Sequence, residues 1–365
     1  MRLGLILIYT VWNISMSFAQ MAPREYFKFA KFNYENDEHK VALNMLNKAI
    51  NYDPQYVNAY YLRAEVNYFL GDYQGALQDI DHVLSLDSQE NAYYADYLLL
   101  RGKLHEKLNR KDLAIIDLNK SILISGTKAE SYFERACIKK ARNFTGSVSD
   151  MNNAIRISPD NPEYYAVRAQ IKRDFYHPNY ESTKYESILK DIEQAIALSP
   201  NQFKYYKFRA NLYIQSGHKN RALKDLNNMI VMFPDQQFGY AERGLIRMQD
   251  ALYKYAIADY NQAITLAPNN DKNYRYRGLC NHNIGFYHEA RKDFTKAIEI
   301  LSENIYQQNN PDPRIKITLA EVYILRGICL HQMGNGSLSC GDFLQANDLG
   351  IGKGLFYYKK FCERY

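Results

Sequence analysis

The sequence lacks the residue patterns that mark a metal, cofactor or catalytic site. Its eight histidines never form H-E-x-x-H and its five cysteines never form Cys-x-x-Cys, so the usual zinc spacings are absent. Glycine-rich stretches at 334–336 and 350–354 do not complete G-x-x-x-x-G-K-[ST], and we interpret them as turns. No Ser, His and Asp set stands out either. We therefore predict no catalytic residue, no metal and no cofactor, and a protein that is not an enzyme.

An excess of charge of one sign is also missing. The 46 Lys and Arg residues are interleaved with 40 Asp and Glu residues along the whole chain, which leaves a formal net charge of +6. No low-complexity tract is present, and 47% hydrophobic residues suffice to bury a core. A nucleic-acid partner is not expected, because no basic patch or nucleic-acid motif accompanies the mild positive charge.

Beyond residue 20 the chain has no apolar run of the about 20 residues that a membrane span needs. Residues 1–19 begin with one basic residue, continue with an apolar stretch over 3–12, and end on small residues at 17 and 19. This is the layout of a secretory signal peptide. We predict cleavage after Ala19 and export to the periplasm or cell envelope. The alternative is an uncleaved N-terminal anchor, because apolar residues continue past the stretch.

What the sequence does contain is a 34-residue period from Pro23 onward. Arginine followed by alanine or glycine recurs in one slot of eight units, at 63–64, 101–102, 135–136, 168–169, 209–210, 243–244, 277–278 and 326–327. A second phrase, such as that at 76–79, 222–225 and 256–259, opens a second helix. That helix stops before a proline, as at 54, 159, 200, 234 and 268, because proline disfavours helix in the preceding residue. Each unit is therefore predicted to be helix, turn, helix, stop.

One unit carries a resemblance to a known family most clearly. Residues 237–270 hold, at matching spacing, Tyr240, Gly244, Ala256, Tyr260, Ala263 and Pro268. This pattern resembles the tetratricopeptide repeat, although the family's turn glycine is Ala251 here. The resemblance implies an all-α fold, a right-handed superhelical solenoid of tandem helix-turn-helix repeats.

The repeat divides the chain into three predicted parts: a signal peptide at 1–19, a repeat array at 20–353 and a C-terminal capping helix at 354–365. Nine units are predicted, at 23–56, 57–90, 95–128, 129–161, 162–202, 203–236, 237–270, 271–304 and 320–353. Three places depart from the period: an insert at 91–94, a lengthened turn around 174–184 and a spacer at 305–319.

An acidic slot accompanies the repeated arginine. Each of the eight arginine units has an aspartate in its second helix, at 79, 117, 150, 191, 225, 259, 293 and 342. We interpret these residues as structural pairs, within or between repeats. The alternative is an arginine ladder that binds an anionic ligand. If the pairs are exposed, each adds only about 0 to 1 kcal/mol.

Two cysteines flank the last predicted turn. Cys340 and Cys362 each lie eleven residues from Ile351, so a helix hairpin centred there brings them to similar heights. We predict a disulfide that fastens the capping helix, provided that the Cα atoms come within about 7 Å. This ending also resembles exported tetratricopeptide proteins of the Bacteroidota kind.

The family resemblance implies a groove lined by the first helices, where such proteins hold a partner. We predict that this chain is a scaffold or adaptor for a protein or peptide partner. The later units are basic there, which suggests an acidic partner segment. The candidate partner-binding residues are Arg173, Lys204, Lys207, Asn211, Lys272 and Arg275. The alternatives are scattered solvated charge, and a glycan-binding module in which tyrosine faces stack on sugars.

Some family members clamp two carboxylates with lysine and asparagine four residues apart, and Lys207 and Asn211 match that pair. The next unit should then offer asparagine but has Glu242, and the third should offer lysine and arginine but has Lys272 and Tyr276. The clamp is therefore incomplete.

Overall fold

The computed structural model describes residues 22–87, 91–176, 182–307 and 312–363, and within them the chain forms nineteen helices and no strand. The prediction of an all-α fold of tandem helical hairpins is confirmed. The predicted signal peptide lies outside the described residues. The helices fall into two compact units, divided between Leu198 and Ser199.

Unit 1 consists of five helical hairpins. Its helices are α1 (Pro23–Glu35), α2 (His39–Tyr52), α3 (Val57–Leu70), α4 (Tyr73–Leu86), α5 (Ala92–Lys107), α6 (Lys111–Ile124), α7 (Ala129–Lys139), α8 (Phe144–Ile157), α9 (Pro162–Tyr176) and α10 (Ser182–Leu198). Odd-numbered helices are the first helices of the repeats, and even-numbered helices are the second.

Unit 2 consists of four hairpins and a terminal helix. Its helices are α11 (Phe203–Gln215), α12 (Lys219–Met232), α13 (Gln237–Gln249), α14 (Tyr253–Leu266), α15 (Asp271–Asn283), α16 (Tyr287–Gln307), α17 (Pro313–Gln332), α18 (Gly336–Asp348) and α19 (Lys353–Phe361). The terminal helix α19 packs against α18 and α17.

All three predicted departures from the period are partly helical among the described residues, and around 174–184 helix α9 runs to Tyr176 and α10 begins at Ser182. Helix α5 begins at Ala92, inside the expected insert, because the Asn91 side chain accepts hydrogen bonds from the N–H groups of Tyr93 and Tyr94. The expected spacer at 305–319 is helical at both ends. Helix α16 runs on to Gln307 and α17 begins at Pro313, where Asp312 caps it and accepts the N–H of Arg314.

Large second-helix side chains pack against small first-helix residues, which sets how closely the paired helices approach. Tyr260, Phe294 and Phe343 are fully buried, and each lies against a glycine sixteen residues earlier, at 244, 278 and 327. A Cβ added at Gly278 would lie 2.8 Å from Phe294. The small residue of the repeated pair is therefore required by packing density.

The C-terminal helix is held by a disulfide. Cys340 of α18 and Cys362, which follows α19, are bonded, with a Cα–Cα distance of 5.9 Å. The turn between the helices passes through Gly350, whose φ of +89° is a left-handed conformation that glycine adopts without steric cost. Cys137, Cys280 and Cys329 are free thiols, and the latter two are buried.

Candidate partner-binding surface

The repeated arginines are occupied by structural contacts. The Nε and Nη2 groups of Arg63 donate to the two carboxylate oxygens of Asp79 at 2.8 and 2.6 Å. The same fork joins Arg101 to Asp117, Arg135 to Asp150, Arg168 to Asp191, Arg209 to Asp225, Arg243 to Asp259, Arg277 to Asp293 and Arg326 to Asp342. The structure therefore supports structural pairing and not an anion-binding ladder.

These pairs are less exposed than the sequence suggested. The aspartate side chains retain only 3% to 7% of their accessible surface, and the arginine side chains 16% to 28%. The difference arises because each pair spans the two helices of a hairpin, where neighbouring side chains cover the carboxylate. The small contribution to stability that is typical of exposed ion pairs therefore does not apply to these buried pairs.

The third donor of the arginine reaches the preceding hairpin, a contact that was not predicted. Nη1 of Arg63 donates to Oδ1 of Asn47 at 2.8 Å, and Nη1 of Arg277 donates to Oδ1 of Asn261 at 2.7 Å. Corresponding bonds join Arg135 to Asn119, Arg168 to Asn152 and Arg243 to Asn227. An asparagine sixteen residues before the arginine was the available signal, and these five arginines tie consecutive hairpins together.

Most repeated arginines also cover a tyrosine ring. A tyrosine three residues earlier lies under the guanidinium at 5.2 to 6.0 Å, as seen at Tyr60, Tyr132, Tyr165, Tyr206, Tyr240, Tyr274 and Tyr323. Cation–π contact of this kind occupies one face of the ring. These tyrosines therefore serve packing, which removes much of the motivation for a sugar-stacking surface.

The six candidate residues divide between the two units. Arg173 lies on α9 in unit 1, where its Nε and Nη2 donate to Asp174 at 3.0 and 2.7 Å. The other five lie in unit 2, with Lys204, Lys207 and Asn211 on α11 and Lys272 and Arg275 on α15. We call these five together with Glu242 the unit 2 first-helix surface.

Aromatic rings hold the cations of this surface in place. The Lys207 ammonium lies 5.1 Å from the ring of Phe238 on α13. On α15, the Lys272 ammonium and the Arg275 guanidinium lie 5.8 and 5.9 Å from the ring of Tyr276. Arg275 also donates to Asp271 at 2.8 Å, so the Asp271 carboxylate partly balances the charge of Arg275.

Two of these cations remain available to a ligand. Lys207 and Lys272 are exposed, and among the described residues neither ammonium has a carboxylate at ion-pair distance. A ring beneath an ammonium fixes its position but does not neutralise it. Lys207 and Lys272 can therefore make charge-assisted hydrogen bonds to an incoming carboxylate.

Glu242 on α13 was not predicted as a site residue, yet it lies between the two lysines. Its side chain is half-buried, and burial raises the pKa of its carboxyl above the ordinary 4.5, while the nearby charges of Lys272 and Lys207 act to lower it. It forms no ion pair at contact distance within the described part of the chain. The signal was present in the sequence, where glutamate replaces the asparagine of the expected clamp.

Unit 1 places half-buried glutamates on two of its first helices. Burial raises the pKa of the carboxyls of Glu65 on α3 and Glu134 on α7, while the charge of Lys103 acts to lower both. The Lys103 ammonium donates to Glu130 at 2.9 Å. The candidate basic residues therefore lie mainly in unit 2, and the first helices of unit 1 carry charges of both signs.

No metal-sized group of three His, Cys, Asp or Glu side chains occurs among the residues that the structure describes. Burial raises the pKa of the free thiols of Cys137, Cys280 and Cys329 to about 12, which disfavours the reactive thiolate. Over the same residues, no helix combines the length and apolar character that crossing a membrane requires.

Comparison with known proteins places these hairpins in a family. The sequence matches the tetratricopeptide repeat over residues 33–91 and again over residues 95–128. Tetratricopeptide repeat protein 36 of Danio rerio is 31% identical over 87 residues, which are 24% of this chain and 46% of that protein. The chain thus matches less than half the length of this curated relative.

One solved structure shows a similar fold, and a second is a weaker match. The C-terminal part of a TPR repeat-containing protein from Cytophaga hutchinsonii is 20% identical, with a TM-score of 0.54, over 68% of this chain and 98% of that chain. A tetratricopeptide repeat protein from Parabacteroides merdae is 17% identical, with a TM-score of 0.47, over 71% of this chain and 98% of that chain. At 20% identity, the likeness to the Cytophaga hutchinsonii structure shows the fold alone.

Proposed function

Because this chain is a tetratricopeptide repeat protein, we propose that it is a non-catalytic scaffold that holds a segment of a partner protein along the unit 2 first-helix surface. The observation that carries the proposal is the pair of exposed, unpaired ammonium groups of Lys207 and Lys272, each fixed on an aromatic ring. A segment that carries carboxylates is the complementary partner.

The surface suits an extended segment better than a small molecule. Its charged groups come from three first helices, α11, α13 and α15, which lie in successive hairpins of unit 2. Peptide recognition of this kind uses anchors spaced along the chain, with polar groups that set orientation. Asn211 on α11 adds a neutral amide that can both donate and accept hydrogen bonds.

The proposed place of action is the periplasm or cell envelope. The proposal is supported by the signal-like residues 1–19 and by the Cys340–Cys362 disulfide, because disulfides persist in oxidising compartments. N-terminal sequencing of the protein from the exported fraction tests it. A mature chain that starts at Gln20 agrees with the proposal, and a chain confined to the reducing cytosol contradicts it.

Charge reversal tests the surface directly. The variant Lys204→Glu, Lys207→Glu, Arg275→Glu should lose at least about tenfold in affinity for labelled acidic peptides titrated into the full chain. The matched control is Lys224→Glu, Lys254→Glu, Lys292→Glu, which makes the same change of charge at exposed positions on the second helices. Equal affinity of the two variants would place the peptide site elsewhere.

A further inference from the structure

Three successive first helices of unit 2 present charges of alternating sign. Lys207 on α11 is positive, Glu242 on α13 is negative and Lys272 on α15 is positive. Lys207 reaches across to Phe238 on α13, one helical turn before Glu242, so the α11 ammonium lies over the same helix as the carboxylate. Both lysines are close enough to Glu242 to influence its carboxyl electrostatically.

Neither lysine closes onto the carboxylate. Each ammonium is held over a ring, Lys207 over Phe238 and Lys272 over Tyr276, and Glu242 has no ion pair at contact distance among the residues described. A half-buried carboxylate without a donor is unfavourable, because folding has removed part of its water and supplied no hydrogen bond in exchange. Glu242 is therefore able to accept a hydrogen bond from a donor that a ligand brings.

The spacing expected of neighbouring packed helices suits an extended peptide across the three charges. Such helices lie about 8 to 10 Å apart. An extended chain advances about 3.3 to 3.6 Å per residue, so about two to three residues pass from one first helix to the next, and about three at the wider spacing. A peptide lying across α11, α13 and α15 at that wider spacing brings every third residue to a charged group.

Resting on the function proposed above, we propose that this surface selects a segment with a carboxylate, a cation and a second carboxylate at intervals of three residues. The outer carboxylates bind Lys207 and Lys272, and the central lysine or arginine donates to Glu242. Glu242 also acts against competing ligands, since a uniformly acidic segment would place a carboxylate against it.

Synthetic peptides test this selectivity on the full chain. Three labelled nine-residue peptides carry aspartate at positions 2 and 8, glycine and serine elsewhere, and lysine, alanine or aspartate at position 5. Fluorescence anisotropy at low salt should show the lysine-centred peptide binding at least about tenfold more tightly than the aspartate-centred peptide. A fourth peptide of the same composition, with lysine next to one aspartate, should bind like the alanine-centred peptide.

Substitution of Glu242 should change the preference and not merely weaken binding. Glu242→Gln should remove the difference between the lysine-centred and aspartate-centred peptides, and Glu242→Lys should reverse it. The matched control is Glu289→Lys, which makes the same change at an exposed position on the second helix α16 and should keep the wild-type preference. Circular dichroism of each variant establishes that the helices persist.

The outcomes separate this inference from the broader function. If all peptides bind equally well and Lys207→Glu, Lys272→Glu abolishes that binding, the surface binds acidic segments but the alternating selectivity is wrong. Preferential binding of the aspartate-centred peptide by the wild type has the same meaning. If none of the peptides binds, both the selectivity and the proposed site are wrong.

Discussion

Most of the repeated arginines use their three nitrogen donor groups to contact two hairpins at once. Arg63 holds both oxygens of Asp79 in its own hairpin and Asn47 in the hairpin before it, while its guanidinium lies 5.2 Å from the ring of Tyr60. A lysine could not reproduce this geometry, because an ammonium is a point charge without a planar fork. Arginine is therefore needed at this slot for shape as well as for charge.

Removing one such arginine should cost far more than removing an exposed one. Arg63→Met leaves Asp79, with a side chain only 7% exposed, without its cation. We expect a loss of about 3 kcal/mol in the free energy of unfolding, measured by urea denaturation. The control is Arg314→Met, because the Arg314 side chain is 87% exposed beside Asp312, and it should leave the urea midpoint nearly unchanged. Similar losses in both variants would contradict a structural role for the fork.

The turn residue Ala251 occupies a position that other hairpins give to glycine. Its φ is +58°, whereas Gly217 and Gly285 have φ values of +76° and +80° in the corresponding turns. A left-handed conformation costs a residue with a Cβ about 1 to 2 kcal/mol. Replacing the residue by glycine removes that cost, but part of the gain is lost because glycine gives the unfolded chain more conformational entropy.

Ala251→Gly should therefore stabilise the protein by about 0.5 to 1 kcal/mol, measured as a higher urea midpoint. The reciprocal variant Gly217→Ala should lower the midpoint, because it introduces the strain that Ala251 already has. A lower midpoint for Ala251→Gly would show that the alanine side chain contributes packing that exceeds the backbone strain.

Residue patterns that repeat were predictable, and residues that depart from the repeat were less so. The pairs could be identified because arginine and aspartate occur together in eight units, which indicates a structural constraint on both positions. Glu242 occurs once, so the repeat did not single it out, and its role emerges only because Lys207 and Lys272 are close enough to act on its carboxyl. The candidate Arg173 was grouped with the others by linear order, yet it lies in unit 1.

Within a hairpin, the small first-helix residue and the large second-helix residue are matched in volume. The first-helix glycines at 244, 278 and 327 face an aromatic ring and Gly102 faces Leu118, whereas the alanines at 64, 136, 169 and 210 are followed, in the corresponding slot, by Ile80, Met151, Ile192 and Leu226. An aromatic residue in the second slot thus occurs with glycine, while an aliphatic residue occurs with either small residue. Close packing requires glycine opposite the larger ring.

Two glycine substitutions in the last hairpin should have opposite effects. In Gly327→Ala the added Cβ would lie 2.6 Å from the fully buried ring of Phe343, so we expect a loss of about 1 to 3 kcal/mol. Gly341→Ala, in the interior of α18, meets nothing within 4 Å and should gain up to about 1 kcal/mol from helix propensity. Thermal melting of both variants measures the contrast, and a gain for Gly327→Ala would mean that the hairpin is looser than the structure indicates.

The helix boundaries show where element prediction fails. Proline and the arginine slot located the hairpins, but the period supplied no information about 305–319, where α16 and α17 exceed the usual length. Their extension is stabilised by packing, because Leu301 of α16 and Leu319 of α17 belong to one buried cluster. The period alone does not reveal such tertiary contacts.

At the scale of the molecule, contacts within each unit run mainly between consecutive helices, so stability is transmitted there from neighbour to neighbour. Without α19, the last hairpin of unit 2 would expose apolar side chains at its end. Helix α19 covers that end. Tyr357 of α19 stacks on Phe343 at 5.6 Å, and Phe361 lies 4.3 Å from His331, measured between ring centroids. The Cys340–Cys362 disulfide holds a helix of only nine residues in this position.

The disulfide is accessible to a small reductant, because it lines a cavity of about 600 Å³ together with His331 and Ser337. Its reduction opens a loop with a sequence separation of 22 residues, and a loop of this size is worth about 3 kcal/mol. Hydrogen exchange followed by mass spectrometry should then show faster exchange in α19, a smaller increase in α18 and α17, and no change in α11 and α12.

Cys340→Ser, Cys362→Ser should reproduce this profile without reductant and should not respond when reductant is added, which excludes effects on the free thiols. An equal increase at α11 and α12 would mean that unit 2 opens as a single cooperative block, because a chain of nearest-neighbour contacts should confine the loss to the end where the disulfide lies.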